Sequence, residues 1–271
     1  DFAGSDSPLS AADRPRADSR CGAGPAIHLP MVVSPIAVVY NVTGVTDLYL
    51  RPATVAKIFA GTVTVWDDPA IVMDNPVAAL PSTKIRPVHR SDSSGTTDNF
   101  TRFLAATAPD DWRFGANSTW PADGGSAQRG SNRVAMTVDR SDGAIGYVEA
   151  SYARFHDLAT ASIGNGAGEF VALTDEAASR TVAGARSTGT GGDLQLSIDY
   201  RTTAAGAYPV ILVTYEVVCR TGTPPGSLAL VKSFLTYTSS PAGQAAAVGL
   251  GYAPLPEDLR IRVTAAVAGL S

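Results

Sequence analysis

The residues whose types and spacing could do chemistry lie in the stretch HRSDSSGTTDNF, which is residues 89–100. An arginine, Arg90, stands two positions before an aspartate, Asp92. Four hydroxyl side chains and one glycine follow: Ser93, Ser94, Gly95, Thr96 and Thr97. Arginine offers a planar, permanently charged fork of N–H donors, and hydroxyl groups add neutral donors. This combination is suited to hold a small tetrahedral oxyanion.

The elements on either side of this stretch would position those groups. Residues 85–89 read as a short strand, and the spacing of Phe100, Phe103 and Leu104 predicts a helix that begins near Thr96. The first turn of a helix has free N–H groups and the positive end of the macrodipole. Gly95 would let the backbone approach a ligand closely. We expect Asp92 to pair with Arg90 and fix its orientation, because a carboxylate beside an anion otherwise has no evident role.

Two other interpretations of this loop stay open on these residues. Ser94 or Thr96 could merely cap the helix, with Arg90 and Asp92 as a surface ion pair. A hydrolase that uses Ser94 with a histidine would need a GxSxG elbow, and neither that motif nor a GxxxxGK[ST] phosphate loop is present. The three histidines lack partners at metal-ligand spacing, so we expect them to be structural or exposed and predict no metal site: His28, His89 and His156.

Composition limits the class of protein. With 271 residues, 45% hydrophobic and 17% charged, the chain is a folded protein of one large or two ordinary domains. A net charge of −4 argues against a nucleic-acid partner. No apolar run is long enough to span a membrane. Cys21 and Cys219 have no CxxC neighbourhood, so they are either two buried thiols or one long-range disulfide.

Along the chain, strand-like and helix-like patterns alternate, which predicts an α/β fold. The apolar runs 29–33 and 36–40 read as one long, interrupted buried strand, and 208–219 reads as a second one. The other predicted strand is 144–148, and the predicted helices are 54–59, 150–155, 228–237, 242–248 and 258–270. Residues 121–131 and 186–192 are rich in Gly, Ser and Thr and read as loops.

Four blocks of the chain resemble the phosphate-binding proteins of the phosphate-specific ABC importer, the PstS type. The loop RSDSSGTT is similar to that family's R-S-D-x-S-G-T-[TS] signature, and DFAGSDSPLS at residues 1–10 is similar to its DFGxSDxPLS segment. AKIFAGT with WDDPAI, and GAIGYVE at residues 143–149, resemble two further blocks. The contexts of the two cysteines, RCG and YEVVC, look like actinobacterial members. The blocks follow the family order across the whole chain.

The resemblance implies a type II periplasmic-binding-protein fold, with two α/β domains joined by two crossing strands and a ligand cleft between them. Residues 1–38 and 210–271 would form an incomplete, discontinuous first domain, and 39–209 the second. Carried over position by position, the family's phosphate-binding residues fall on Ser5, Asp6, Arg90, Ser94, Gly95 and Thr96. Asp92 would pair with Arg90 and fix its orientation without contacting the ligand.

Asp6 bears on which anion the site would take. Phosphate near neutral pH keeps a proton that it can donate to a carboxylate, whereas sulfate has none. The resemblance therefore implies an exported, non-enzymatic receptor that needs no cofactor and delivers inorganic phosphate to an ABC permease. It also implies a monomer when complete and an upstream lipid anchor at the cell surface. The alternatives are a receptor of the same fold for sulfate or molybdate, and a surface protein that binds nothing tightly.

The sequence departs from the family pattern at three places. Ser93 stands where many members have glycine, and residues 128–133 lack the usual GNDG. Family members also have a segment before the DFxxSD block that holds phosphate, so we expect these 271 residues alone to bind phosphate weakly. Export implies an oxidising compartment, so with the resemblance we predict that Cys21 and Cys219 form a disulfide within the first domain.

Overall fold

The computed structural model describes residues 2–271. Four helices in this range begin with a capping side chain: Ser94, Asp68, Thr174 and Ser240 each accept a backbone N–H in the first turn of their helix. The helices of the described range are α1 (Arg14–Cys21), α2 (Pro52–Phe59), α3 (Pro69–Asp74), α4 (Gly95–Thr107), α5 (Ser131–Asp139), α6 (Ala150–Phe155), α7 (Asp175–Ala183), α8 (Pro225–Thr238), α9 (Pro241–Gly249) and α10 (Glu257–Ala268).

Strands lie between these helices along the chain, so the predicted α/β class is confirmed. They are β1 (Phe2–Ser5), β2 (Ala26–Asn41), β3 (Tyr49–Leu50), β4 (Arg86–Arg90), β5 (Ser126–Gln128), β6 (Ala144–Glu149), β7 (Ala159–Thr160), β8 (Ser162–Gly164), β9 (Phe170–Val171), β10 (Arg186–Ser187), β11 (Leu196–Ser197) and β12 (Ile211–Cys219). A main sheet runs in the order β1-β12-β2-β6-β4-β5, with β7 also paired to β2.

The strand β2 connects the two ends of the main sheet. Its first part, Ala26–Pro35, pairs antiparallel with β12, and its second part, Ile36–Asn41, pairs antiparallel with β6. The strand is buried along almost its whole length, as the apolar runs predicted. The position of β1 at one edge, next to β12, places the residues that follow Ser5 beside the centre of the sheet.

The prediction of an interruption in β2 is wrong, because the strand is continuous through both prolines. The pairing with β12 shifts register where Thr214 faces Val32 and Tyr215 faces Pro30, which leaves Met31 as the extra residue. A bulge tolerates the missing N–H of Pro30. Pro35 lies at the end of the β12 pairing, where β6 takes over as the partner.

The predicted core face of α4 is confirmed. Phe100, Phe103 and Leu104 are fully buried, and the ring of Phe100 stacks on that of Tyr147 in β6 with centroids 4.3 Å apart. Burial of three large side chains on one stripe anchors the helix to the sheet. The N-terminus of α4 is therefore held on a rigid support.

Both stretches that read as loops contain short strands. Residues 126–128 pair parallel with β4, and Arg186–Ser187 pair antiparallel with Leu196–Ser197. Their high content of Gly, Ser and Thr predicted loops, because β-propensity is a weak guide to strands of only two or three residues. The predicted strand 208–219 begins only at Ile211, and the predicted C-terminal helices are present with somewhat different ends.

Cys21 and Cys219 form a disulfide, as predicted from the resemblance, with Cα atoms 5.2 Å apart. It joins the end of α1 to the end of β12 across 198 residues of sequence. Among residues 2–271, no helix combines the length and the apolar character needed to cross a bilayer. The division into domains 1–38 plus 210–271 and 39–209 stays a prediction.

Replacing both cysteines, Cys21→Ser with Cys219→Ser, should lower the free energy of unfolding by about 4–5 kcal/mol, because the crosslink restricts a very long loop in the unfolded chain. Urea unfolding with and without reductant measures this. Reductant should destabilise the unmodified protein and leave the double variant unchanged. Equal stability of the unmodified protein in both conditions would contradict the prediction.

Candidate functional site

The loop after β4 turns directly into α4, as the sequence predicted. The Ser94 side chain is the N-cap, and its Oγ accepts hydrogen bonds from the N–H groups of Thr96 (3.1 Å) and Thr97 (3.3 Å). The capping interpretation is thus correct for Ser94, and it does not exclude ligand binding. The hydroxyl hydrogen of Ser94 stays available as a donor, because the two bonds use only its lone pairs.

The N–H of Gly95 is left as a free donor. Gly95 is the first residue of α4, and its N–H has no hydrogen-bond partner within residues 2–271. A free N–H at a helix N-terminus, next to a free hydroxyl hydrogen, forms a small electropositive corner. Such a corner can receive an anion oxygen without a charged side chain.

Arg90 is oriented by Asp92, as predicted. Its Nε and Nη2 donate to the two carboxylate oxygens at 2.8 and 2.6 Å, and its Nη1 donates to Ser131 Oγ at 3.0 Å. Asp92 also accepts the N–H of Gly130 at 3.1 Å. The segment that lacks the GNDG pattern therefore helps to hold the ion pair. Three of the five N–H donors of the guanidinium are used, and two are left for a ligand.

The ion pair keeps both groups charged. The hydrogen bonds from Arg90 hold the pKa of Asp92 well below its usual range. Burial works against the charge on Arg90, but the hydrogen bonds and the charge of Asp92 outweigh it and the pKa of Arg90 is raised. Arg90 therefore carries a fixed positive charge in a largely buried position, with its side chain 11% exposed.

Asp6 reaches this corner from the start of the chain. It follows β1, and its Oδ1 accepts the hydroxyl of Thr214 in β12 at 2.8 Å. Its backbone carbonyl accepts Asn99 Nδ2 of α4, also at 2.8 Å. Asn99 in turn bonds the Gly95 carbonyl and accepts the hydroxyl of Tyr200. Two segments 93 residues apart in sequence are thus tied together at the candidate site.

The contact between Asp6 and Gly95 is so close that only glycine fits. A Cβ added at Gly95 would lie 2.4 Å from Asp6 Cβ and 3.1 Å from the Asp6 carbonyl carbon. Separations below 3.0 Å force a shift in the structure, and here the neighbour is the Asp6 Cβ, which is attached directly to the backbone and is not a flexible side-chain end. The glycine is therefore required by close approach, as the sequence suggested, but the partner is the protein's own chain.

Asp6 lies in a polar setting that favours sharing a proton. Burial is the main cause that raises its pKa; the Thr214 hydrogen bond opposes the shift, and the negative charge of Glu149 adds to it. Asp6 Oδ2 has no hydrogen-bond partner among the described residues. A carboxylate with one oxygen occupied and the other free, beside N–H and O–H donors, can accept a ligand hydroxyl.

Two predicted hydroxyl donors are already engaged. Thr96 is buried, and its Oγ1 donates to Glu149 Oε1 at 2.5 Å. Thr97 is fully buried and shares a hydrogen bond with the Tyr147 hydroxyl in the core, so the expectation that it adds a donor to the site is wrong. Adjacent residues on a helix point in different directions, so Thr96 and Thr97 could not both face one ligand.

A cleft of about 620 Å³ borders the candidate site. Four of the six predicted ligand residues line it: Ser5, Asp6, Ser94 and Gly95. Arg90 and Thr96 are not part of the lining of this cleft. Arg90 and Asp6 nevertheless lie within electrostatic range of each other. The Ser5 hydroxyl donates to the Ser7 carbonyl at 2.6 Å, so its role is to shape the turn.

Sequence reasoning missed four residues that build the site: Asn99, Ser131, Glu149 and Thr214. Thr214 had a signal, because it is a hydroxyl residue inside an otherwise apolar buried run. Asn99 lies four residues after Gly95 and thus above it on the same helix face, which is a second usable signal. Glu149 ends the GAIGYVE block, and its Oε2 is buried without a hydrogen-bond partner within the described chain.

The side-chain arrangement gives no sign of a metal site. Within residues 2–271, His, Cys, Asp and Glu side chains do not gather in groups of three or more that could hold a metal ion. The arrangement offers several donors and a free carboxylate oxygen of Asp6, which suits hydrogen bonding to an anion.

Comparison with known proteins agrees with these features. The profile of the PBP superfamily domain matches residues 1–242. The phosphate-binding proteins PstS 3 and PstS 2 of Mycobacterium tuberculosis are 40% and 41% identical, and both alignments cover the whole of this chain and 74% of the relative. PstS of Xylella fastidiosa is 31% identical over 96% of this chain and 69% of the relative.

Solved structures show the same fold. A periplasmic phosphate-binding protein, PfluDING, bound with phosphate superposes with a TM-score of 0.78 at 24% identity, over 97% of this chain and 78% of the other. The phosphate-binding protein of Stenotrophomonas maltophilia gives a TM-score of 0.76 at 23% identity, with the same coverage. The predicted periplasmic-binding fold is confirmed.

Replacing Gly95 with alanine should destabilise the protein by about 1–3 kcal/mol, because the added methyl overlaps the Asp6 Cβ and crowds the backbone next to it. Urea unfolding measures the change. The matched control is Gly226→Ala, near the start of α8, where an added Cβ meets nothing within 4 Å. That control should be neutral or stabilising by up to about 1 kcal/mol. Equal stability of the two variants would show that the contact is not tight.

Proposed function

Because this chain belongs to the PstS family of phosphate-binding proteins, within the PBP superfamily, we propose that it captures inorganic phosphate and delivers it to an ABC permease. Of the six predicted ligand residues, Asp6, Arg90, Ser94 and Gly95 keep a free donor or acceptor and are the proposed contacts of the anion. Ser5 and Thr96 are proposed to shape the site, since their hydroxyl hydrogens are bound to the Ser7 carbonyl and to Glu149. Asp92 holds Arg90 in place. The protein works as a receptor and not as an enzyme, since no reaction is needed to bind and release an anion.

The single observation that carries this proposal is the placement of the Asp6 carboxylate against the N-terminus of α4. Gly95 N–H, the Ser94 hydroxyl and Arg90 are donors, and Asp6 is an acceptor that packs against Gly95 and lines the same cleft as Ser94. Phosphate near neutral pH both accepts hydrogen bonds and donates one. A site with several donors and a free carboxylate oxygen matches that pattern.

The same acceptor would exclude sulfate. Sulfate has no proton to donate at neutral pH, so one of its oxygens would face Asp6 without a hydrogen between them. A site built to accept a ligand hydroxyl rejects an analogue that lacks it by roughly 10⁴–10⁵-fold. Asp6 is therefore the specificity determinant of the proposed function, and a receptor for sulfate is the second candidate that the test must exclude.

Ligand capture in this fold involves closure of two domains, and we propose the boundaries 1–38 plus 210–271 and 39–209. The exchange of strand partners supports this division. β2 leaves β12 at Pro35 and joins β6 at Ile36, and the N–H of Ile36 donates to the Val210 carbonyl. β2 thus changes its partner level with the start of β12, which is suited to a hinge.

The family also supports a proposed location and partners. We propose that the protein acts outside the cytoplasm and contacts the permease subunits of its importer. The Cys21–Cys219 disulfide is consistent with an oxidising compartment. A lipid anchor on the intact protein and a monomeric state are parts of the same proposal.

The direct test is equilibrium binding of radiolabelled phosphate to the intact protein, rather than to these 271 residues alone, in competition with unlabelled phosphate, sulfate and molybdate. Unlabelled phosphate should displace the label stoichiometrically, and a thousand-fold excess of sulfate should not. Displacement by sulfate at concentrations similar to phosphate would favour the second candidate. The absence of saturable phosphate binding would contradict the proposal.

Arg90→Ala should weaken phosphate binding by about 2–5 kcal/mol, because a buried charge partner of the anion is lost and Asp92 is left unpaired beside it. Asp92→Asn should cost much less, since it disturbs only the orientation of Arg90. Calorimetric titration with phosphate compares the two variants. A larger loss from Asp92→Asn would reverse the roles that we assign to them.

Asp6→Asn should allow sulfate to compete, because the amide can donate a hydrogen bond to an unprotonated oxygen. In the unmodified protein, sulfate should also begin to compete with phosphate when the pH is lowered. A protonated Asp6 is a donor, and since the pKa of Asp6 is raised by burial, sulfate should begin to compete at a higher pH than an ordinary aspartate would allow.

Competition binding across the acidic pH range measures this effect in both proteins. The unmodified protein should lose its discrimination as the pH falls, whereas Asp6→Asn should show weak discrimination throughout. Full rejection of sulfate by Asp6→Asn at neutral pH would mean that a group other than Asp6 accepts the hydrogen bond from the ligand's hydroxyl.

A further inference from the structure

A buried histidine outside the proposed ligand set contacts the segment that carries Asp6. His28 lies in β2 with 1% of its surface exposed. Its Nε2 accepts the backbone N–H of Leu9 at 2.9 Å, and its Nδ1 lies 2.9 Å from Asp193 Oδ1. Leu9 lines the same cleft as Asp6 and follows it by three residues. The ring therefore bridges the site segment and the loop before β11.

The hydrogen bonds determine which ring nitrogen carries the proton. A backbone N–H is always a donor, so Nε2 must be the acceptor of the Leu9 bond. A neutral imidazole has one donor and one acceptor, so Nδ1 carries the proton and donates it to Asp193. Arg14 Nη1 lies 3.4 Å from Nδ1 and cannot donate to a protonated nitrogen.

Asp193 holds the ring in this state. It is buried with 3% side-chain exposure, and it also accepts the backbone N–H of His28 at 2.8 Å and Arg14 Nη2 at 2.6 Å. Burial raises the pKa of Asp193, but these hydrogen bonds outweigh it and lower the pKa to about 2. An ionised Asp193 is a permanent acceptor, so the orientation of the His28 ring is fixed.

The segment from Ser7 to Leu9 has few backbone hydrogen bonds. Within the described chain, the Ser7 carbonyl accepts the hydroxyl of the nearby Ser5, and the Leu9 N–H donates to His28. Pro8 has no N–H, so the Leu9 bond is the one backbone hydrogen bond that ties these residues to a strand distant in sequence. A short loop with so few bonds depends on them for its conformation. Asp6 itself is held by Thr214 and Asn99.

We propose that His28 is a positioning residue for the proposed phosphate site, and that its Nε2, by accepting the Leu9 N–H, fixes the turn that aims Asp6 at the ligand. This inference rests on the proposed function for its ligand. It adds a network, the buried pair Asp193–His28 with the partly exposed Arg14, as the support of the specificity-determining carboxylate.

Two matched variants separate positioning from simple packing. His28→Gln places an amide oxygen near Nε2 and can still accept the Leu9 N–H, whereas His28→Asn can reach Asp193 but leaves Leu9 without an acceptor. Calorimetric titration with phosphate should show about tenfold weaker binding for His28→Asn, and a loss of no more than about twofold for His28→Gln. Sulfate should also compete with phosphate more effectively in His28→Asn than in His28→Gln. Equal binding by the two variants would overturn the proposal.

NMR of the nitrogen-labelled, unmodified protein tests the anchor without any variant or ligand. We expect the Nδ1–H tautomer of His28 and a through-hydrogen-bond coupling between its Nε2 and the Leu9 nitrogen. An Nε2–H tautomer would overturn the proposal even if both variants failed to fold. If the unmodified protein bound no phosphate, the proposed function would fail, and the tautomer would still decide whether His28 holds Leu9.

Discussion

The proposed site depends on the close contact between the Asp6 backbone and Gly95 at the N-terminus of α4. Because Gly95 has no Cβ, a carboxylate from the start of the chain can lie beside the N–H and hydroxyl donors of a helix that begins nearly ninety residues later. The Asn99 side chain closes the contact by bonding the carbonyls of both residues. Pairing of β1 with β12 fixes the position of Asp6 on one side of the contact. Burial of the aromatic face of α4 fixes the position of Gly95 on the other side.

This contact also explains how an acidic protein can hold an anion. The donors are a fixed guanidinium, a helix N-terminus and a hydroxyl group, so no broad positive surface is required. Asp92 and Ser131 accept hydrogen bonds from three of the five N–H donors of Arg90 and fix the orientation of the guanidinium. The two remaining donors therefore point in a defined direction. We propose that the free Asp6 oxygen, next to these donors, lets the site recognise a protonated anion. Affinity would then come mainly from the donors, and specificity from Asp6.

Local pattern was sufficient to predict much of this site. The strand, the turn, the capping serine and the Arg90–Asp92 pair all follow from spacing within a dozen residues, whereas Asp6 and the disulfide came from the family resemblance. The rest depends on which way side chains point across distant segments. Thr97 looked equivalent to Thr96, but one helical step turns its hydroxyl into the core against Tyr147. His28 was expected to be structural or exposed, and only the fold shows that its Nε2 accepts the backbone N–H of Leu9.

The most direct test of the account is a high-resolution crystal structure of the protein with phosphate bound at neutral pH. We expect one phosphate between Asp6 and the start of α4. One ligand oxygen should lie within hydrogen-bond distance of the free Asp6 oxygen, and the others should meet the Gly95 N–H, the Ser94 hydroxyl and Arg90. Phosphate bound elsewhere, or bound here with no oxygen near Asp6, would contradict the account.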